Sequence, residues 1–317
     1  MTATASGDPN PTPAPGETEA GRLVVLAGPT AAGKSALALD LAGQLDAEIV
    51  NADAMALYIG MEIGTARTPP AERRGIPHHQ IDVLEVSQNA SVAAYQHQAR
   101  ADIEQIWARG KTALLVGGSG LYVRAVTDPV VFPPTDPQVR AKWERLGEEQ
   151  GAEYLAAELA RLDPVAAAHI EPANIRRLVR ALEAIELTGQ PFAAQLPAYS
   201  SWRPATMVAL DLDVAELDQR IEQRAAWMIA AGLVEEVAEL RRRFGPFGRT
   251  AARGIGYAEA LAVLDGELAT ELAEQSIAAA TKRLARRQRK WFRRDPRFTW
   301  LQANQPDLPK RICEAVV

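Results

Sequence analysis

A single cysteine, Cys313, occurs among 317 residues. That count excludes a disulfide framework and a cysteine-rich zinc module, and it fits a reducing compartment. There is no CxxC and no HExxH, and of the four histidines only His78 and His79 are neighbours. These two read as part of a hydrogen-bonded loop near the core rather than as metal ligands, and His97 and His169 fall on helical stretches. No apolar run approaches the roughly 18–20 residues of a membrane span. Residues 1–21, rich in Pro, Thr, Ala and Gly, lack the basic start and apolar stretch of a signal peptide and read as a disordered tail. The expectation is a cytoplasmic monomer with no membrane association. An excess of positive charge is lacking too: 35 Lys and Arg face 40 Asp and Glu, for a formal net charge of −5. Any polyanion partner must therefore be met by a local basic patch.

What is present is an ordinary globular composition, 47% hydrophobic and 24% charged. The length suits two domains, or one domain with a large insertion. Residues 22–27 (RLVVLA) and 112–116 (TALLV) are short continuous apolar runs, which read as buried parallel strands. Residues 48–51 read as another strand, and 205–212 (ATMVALDL) as a later one. Helical patterns cover 36–45 and 92–109. Residues 128–137 carry four prolines and two aspartates, a boundary signal, and only helical patterns follow until about 196. After the strand at 205–212 the chain is helical again, over roughly 215–243, 257–264 and 268–294. The pattern predicts an α/β fold: a P-loop NTPase-like parallel sheet core, residues 22–127 and 201–317, interrupted by a helical insertion over 128–200.

Between the first strand and the first helix stands Gly28-Pro29-Thr30-Ala31-Ala32-Gly33-Lys34-Ser35, which matches G-x-x-x-x-G-K-[ST] at every fixed position. Its glycines let successive backbone N–H groups curl around a polyphosphate, and the helix N-terminus adds partial positive charge. Lys34 reaches anionic oxygens, and Ser35 is the candidate magnesium ligand. P-loop ATPases have a second strand ending in an acidic magnesium ligand. Here the clearest later strand runs instead into Gly117-Gly118-Ser119-Gly120. Paired glycines permit close backbone approach and Ser119 offers a hydroxyl, which suits a substrate wedge; a tight structural turn is the alternative.

Asp53 follows the predicted strand at 48–51, on the side of a parallel sheet where ligands bind. Position alone leaves three roles open: a group beyond the magnesium shell, a general base, or a helix cap. The surrounding text is more specific. VNADAMALYIGMEIGTAR over 50–67, together with GPTAAGKS, PHHQID at 77–82, GGSGLY at 117–122 and RRLVRALEAIELTGQP at 176–191, resembles the tRNA dimethylallyltransferases. The motifs occur in the family's order, and the resemblance runs from about residue 23 to 300.

The resemblance implies transfer of a dimethylallyl group from dimethylallyl diphosphate to the exocyclic N6 amine of the adenosine 3′-adjacent to the anticodon of tRNA. It makes the phosphate loop, Gly28 to Ser35, a holder of diphosphate with Mg2+. It makes Asp53 the general base, and Lys34 and Ser119 further catalytic groups, with Ser119 standing where the family usually has Thr. It assigns tRNA contacts to Asp53, Ala54, Met55, Ala56, Ser119, Arg140, the segment Arg176, Arg177, Leu178, Val179 and Arg180, and the turn Arg253, Gly254, Ile255, Gly256, Tyr257 and Ala258. Arg287 is assigned to the diphosphate, and the insertion becomes a clamp on the anticodon stem-loop. One departure stands out: the family's Asp-Ser-Met-Gln is Asp53-Ala54-Met55-Ala56 here. The two side chains expected to contact the base or nearby backbone are both alanine, so that recognition passes to backbone groups or weakens.

A base in an anticodon loop must be unstacked before it is alkylated, and the RNA must be held by shape and charge. Residues 282–294 (KRLARRQRKWFRR) carry eight Lys or Arg and no acid, and Arg176, Arg177 and Arg180 form a second cluster. Each is also readable as a solvated helical face, since 29 of the 35 basic residues are arginine. Trp291 and Phe292, interleaved with the late basic run, either stack on RNA or belong to the core. The competing functions are an adenylate isopentenyltransferase acting on free nucleotide, a P-loop small-molecule kinase, and a non-catalytic RNA-binding GTPase or ATPase.

Overall fold

Residues 21–192 and 199–316 are described by the structure, a computed structural model. The expected disordered tail over residues 1–20, and the end of the predicted helical stretch at 193–198, lie outside the described residues. The chain divides into two compact units, one formed by residues up to 127 together with 203 onward, the other by residues 128–202.

The larger unit is built on the predicted apolar runs. β1 (Leu23–Ala27), β2 (Ala47–Asn51), β3 (His78–His79), β4 (Thr112–Gly117), β5 (Thr206–Asp211) and β6 (Thr299–Gln302) form one sheet in the order β3-β2-β4-β1-β5-β6. Every pairing is parallel. All five residues of β1 are buried, because a parallel strand covered by helices on both faces has no polar face to alternate. Before β5 the crossovers are α1 (Lys34–Gln44), α2 (Val92–Ala108) and α3 (Gly120–Thr127). A principal core lies between α1 and the sheet, where Val24, Leu26, Leu41, Ile49, Leu114 and Leu210 pack together. The register pairs Ala27 with Gly117 and Asn51 with Val116. The loops that begin at Gly28, Ala52 and Gly118 therefore leave the sheet at one edge, the carboxyl end of the strands.

The smaller unit is helical: α4 (Pro137–Leu162), α5 (Pro164–Ala167) and α6 (Ile175–Thr188). Asp136 caps α4 by accepting the N–H groups of Gln138 and Val139, and the predicted proline boundary supplies Pro137 at the first helical position. Trp143, Leu155, Leu159, Leu178 and Leu182 form its core.

The second half of the larger unit adds α7 (Val214–Ala230), α8 (Leu233–Phe244), α9 (Tyr257–Leu264), α10 (Thr270–Phe292) and α11 (Leu308–Val316). The run predicted as one helix over 215–243 is two, because Gly232 adopts φ +92° and turns the chain between them. β3, β6 and α3 were not predicted: the two strands are short edge strands, and α3 starts on the glycine turn itself. His78 and His79 occupy edge strand β3 rather than a loop; His79 Nε2 lies 2.7 Å from Glu48 Oε2 and His78 Nδ1 2.8 Å from the Ile76 carbonyl. Phe292 settles into the core, edge-to-face with Phe298 at 5.3 Å between centroids.

Candidate active site

The phosphate loop owes its path to glycine. Gly28 has φ +138°, and a Cβ there would lie 2.7 Å from the Leu210 carbonyl oxygen, so no larger residue fits. Gly33 enters α1 with φ +88°, and no side chain caps the helix. The first-turn N–H groups are therefore available to an anion. Lys34 Nζ donates to the carbonyls of Gly28 (3.0 Å) and Pro29 (2.7 Å), closing the loop on itself. Burial pulls its pKa down to about 8; Asp53 opposes the shift and Arg224 adds to it. An ammonium so poised gains from any arriving negative charge.

Two residues that local sequence gives no reason to single out complete this loop. The Thr30 N–H donates to Gln288 Oε1 (2.8 Å), and Thr30 Oγ1 accepts from Arg224 Nη2 (2.8 Å). Arg224 comes from α7 and Gln288 from α10, each more than 190 positions away in the chain. One signal for Gln288 was available: Thr281, Ala285, Gln288 and Phe292 form the buried stripe of α10, and an amide on such a stripe needs a partner.

Asp53 is fixed by its neighbour in β2. Asn51 is buried, and its Oδ1 accepts the Asp53 N–H (2.9 Å) while its Nδ2 donates to the carbonyls of Asp53 and Gln80 (2.9 Å each). The Tyr95 hydroxyl donates to the Asn51 carbonyl at 2.7 Å. Asp53 Oδ1 accepts the Met55 N–H (3.0 Å), whereas Oδ2 has no hydrogen-bond partner among the described residues. One carboxylate oxygen is therefore engaged by the backbone and the other has no such bond among the described residues. Ser119 Oγ accepts the Ala54 N–H (3.2 Å), tying the Asp53 loop to the glycine turn. Gly117 is required there, since a Cβ would lie 2.2 Å from the Ala52 carbonyl oxygen.

The phosphate loop, Asn51, Asp53 and the turn at Gly117 and Gly118 border a cleft of about 430 Å³. Its lining combines polar and charged residues, among them Thr30, Lys34, Ser35, Asp53, Arg67, His78, Arg220 and Arg224, with the apolar Ala38, Ile49, Ala56, Ile81 and Val116. Ala56 lines the cleft as a small apolar group, so the position where the resembled family carries Gln adds no polar contact. Ser119 and Arg287 are not among the lining residues; Gly118 reaches the cleft, and Arg287 is exposed on α10. Met55 meets the turn at 253–258: a Cβ on Gly254 would sit 2.7 Å from its sulfur. In that turn Arg253 is exposed. Tyr257 is buried, donating to Glu236 Oε1 (2.8 Å) and accepting the Gly64 N–H (3.1 Å).

In the helical unit, Leu178 and Val179 are core residues, and Arg176 and Arg177 are exposed. Arg140 and Arg180 converge on the fully buried Glu183, at 2.8 and 3.0 Å. That carboxylate also accepts the Asp136 N–H (2.9 Å), so both guanidinium groups are held in place with partial exposure. The late basic run divides into two stripes. Lys282, Arg286, Arg289 and Arg293 are paired with Glu222, Asp218 and Asp211. Arg283, Arg287 and Lys290, at i, i+4 and i+7 of α10, lie on the adjacent face, and Arg294 follows in the turn just past the helix; all four are exposed and without an ion pair among the described residues.

Among the described residues no group of three or more His, Cys, Asp or Glu is arranged to hold a metal ion, and no helix is long and apolar enough to cross a membrane. Comparison with known proteins bears on what the cleft does. The family model "IPP transferase" matches residues 56–295. A tRNA dimethylallyltransferase from Nocardia farcinica is 55% identical over 286 residues, covering 90% of this chain and 91% of that one. One from Mycobacterium tuberculosis is 52% identical over 306 residues, covering 93% and 98%. The crystal structure of the tRNA isopentenylpyrophosphate transferase of Bacillus halodurans superposes with a TM-score of 0.67 at 36% identity, covering 93% of this chain and 94% of that one. This chain belongs to the IPP transferase family.

Proposed function

We propose that this chain transfers the dimethylallyl group of dimethylallyl diphosphate to the exocyclic N6 amine of the adenosine 3′-adjacent to the anticodon of tRNA, releasing diphosphate. The observation that carries this reading is the pairing of a phosphate loop with Asp53 in one cleft, while β4 ends in glycine rather than in a carboxylate. A hydrolase or kinase needs an acid there for its metal; an alkyl transferase needs a diphosphate cradle and a base. The relatives named above act on tRNA by their names, which supports RNA over free nucleotide as acceptor.

The allylic carbon–oxygen bond breaks as the bond from N6 to that carbon forms. The electron pair leaves with the diphosphate, whose growing charge is met by Lys34, Arg224 and the N–H groups at the start of α1. The N6 proton passes to the free oxygen of Asp53, a transfer of the kind that contributes about 10²–10⁴-fold. The apolar lining residues Ala38, Ile49, Ala56, Ile81 and Val116 suit the hydrocarbon of the donor. Ser119 acts on the acceptor side by holding the Asp53 loop through Ala54. The donor set fits magnesium carried in with the diphosphate, since Ser35 offers a hydroxyl beside the loop and a magnesium ion takes its remaining oxygens from phosphate and water. When bound, the ion supplies further neutralisation of the leaving group.

RNA is held electrostatically by the exposed stripe Arg283, Arg287, Lys290 and Arg294, with Arg176, Arg177 and Arg253 as further exposed cations. The reaction is assigned to a monomer in the cytoplasm, where one free thiol, Cys313, stays reduced. Radiolabelled dimethylallyl diphosphate offered to unmodified tRNA, AMP and ATP in parallel tests the reading. Label in tRNA alone is expected; label in AMP or ATP, or phosphate release without alkylation, overturns it.

A further inference from the structure

We propose that Trp291 is a stacking platform for the unpaired base next to the target adenosine, and thereby a positioning residue for the acceptor. The inference rests on the tRNA-alkylating reading above and extends it to a residue with no part in the donor site.

Trp291 and Phe292 are adjacent on α10 and have opposite fates. Phe292 is 1% exposed, whereas Trp291 keeps 37% of its surface in solvent. The indole lies against Gly120, where a Cβ would come within 2.1 Å of its Cδ1 and 2.2 Å of Nε1. A side chain of any size at position 120 would push the ring away. Its Nε1 has no hydrogen-bond partner among the described residues.

Gly120 directly follows Ser119, whose Oγ accepts the N–H of Ala54, the residue after Asp53. Gly118, two residues before Gly120, lines the cleft with Asp53. The indole thus packs on the turn that is tied to the loop carrying the proposed base, outside the residues that line the cleft itself, which on this reading is the rim of the acceptor side. Along α10, Arg287 and Trp291 stand at i and i+4, so the ring shares a face with part of the unpaired cationic stripe, and Arg294 follows in the turn just past the helix. Cations that track a phosphate backbone, interleaved with an exposed aromatic face, form the arrangement that binds unpaired nucleotides. An adenosine drawn into the cleft leaves its neighbour without a stacking partner at that rim, and the indole replaces the lost partner.

The test pairs a protein change with an RNA change. Trp291→Ala and Trp291→Phe are compared with the unaltered protein on an anticodon stem-loop, and on stem-loops made abasic one position 5′ or one position 3′ of the target adenosine. Base–aromatic stacking predicts that Trp291→Ala raises the KM for the intact stem-loop by about tenfold or more. It predicts that Phe restores most of the loss, and that the KM for dimethylallyl diphosphate does not move. On one of the two abasic stem-loops the Ala variant and the unaltered protein are expected to bind alike. An equal KM penalty on all three RNAs, or none on the intact one, overturns the platform. A shift in thermal midpoint with a parallel loss of donor binding would show a purely structural tryptophan, and also overturns it. Alkylation of the intact stem-loop by the unaltered protein is measured in the same series, so failure of the tRNA reading would be seen separately as absence of product.

Discussion

Replacing Asn51 isolates the device that aims the proposed base. In Asn51→Ala three hydrogen bonds are lost, those to the Asp53 N–H, the Asp53 carbonyl and the Gln80 carbonyl. At about 0.5–1.5 kcal/mol each, and more where a buried group is left unsatisfied, the cost is about 2–4 kcal/mol. For a unit of this size the thermal midpoint falls by roughly 5–15 °C. Catalysis suffers separately, because a base displaced by about 1 Å costs on the order of 10²-fold in rate. The assay is steady-state alkylation of tRNA below the new midpoint, with the two Michaelis constants measured alongside. The expected result is a kcat lowered by about 10²-fold with the KM for dimethylallyl diphosphate unchanged, since among the described residues no hydrogen bond links Asn51 to the phosphate loop. Asn51→Asp sharpens the test. Its carboxylate has no proton to donate to the two carbonyls at neutral pH, and protonation returns one donor. Activity relative to the unaltered protein should therefore rise as pH falls through the carboxyl range. A folded Asn51→Ala protein with near-normal kcat would refute the reasoning.

Further outcomes follow from the same geometry. Because burial holds the Lys34 pKa at about 8, the lysine without diphosphate is largely neutral at pH 9 and charged at pH 7. Diphosphate favours the charged form, so binding takes up protons at pH 8.5–9 and scarcely any at pH 7; calorimetry in buffers of different ionisation enthalpy reads this, and equal uptake at both pH values would contradict it. Removing Arg283, Arg287, Lys290 and Arg294 together should weaken tRNA binding and reduce the slope of log K against log salt by up to about 3. The thermal midpoint should hardly change. Arg289→Gln should do the reverse, lowering stability because it strips a partner from buried Asp211 while leaving the salt slope nearly intact.

The parts of this architecture that were legible in the sequence are those fixed by short stretches of chain. β1 and β4 announce themselves as unbroken apolar runs because both faces are covered, and the phosphate loop is readable because its spacing is dictated by phosphate geometry. Asp53 could be singled out because it follows a strand end. The break at Gly232 was also written locally, and a single helix over 215–243 passed over it. Arg224 and the role of Asn51 were not legible, and Gln288 only as an amide on a buried helical stripe, without its partner. Arg224 and Gln288 reach Thr30 across more than 190 residues, and Asn51 looks like any polar strand end until Gln80 is brought beside it. The basic run at 282–294 was legible as charge but not as two stripes, since only the fold supplies Asp211, Asp218 and Glu222 to neutralise one of them. Likewise Arg140 and Arg180 were read as cations facing RNA, with no hint that Glu183 holds both.

The central claim is that Asp53 removes the N6 proton while the phosphate loop holds the leaving group. A single-turnover measurement with Asp53→Asn, saturated with dimethylallyl diphosphate and unmodified tRNA, tests it most directly. The account predicts that the chemical step slows by about 10²-fold or more while the affinity for both substrates stays within a few-fold. A step at the normal rate, or a variant that fails because it no longer binds the donor, would contradict it.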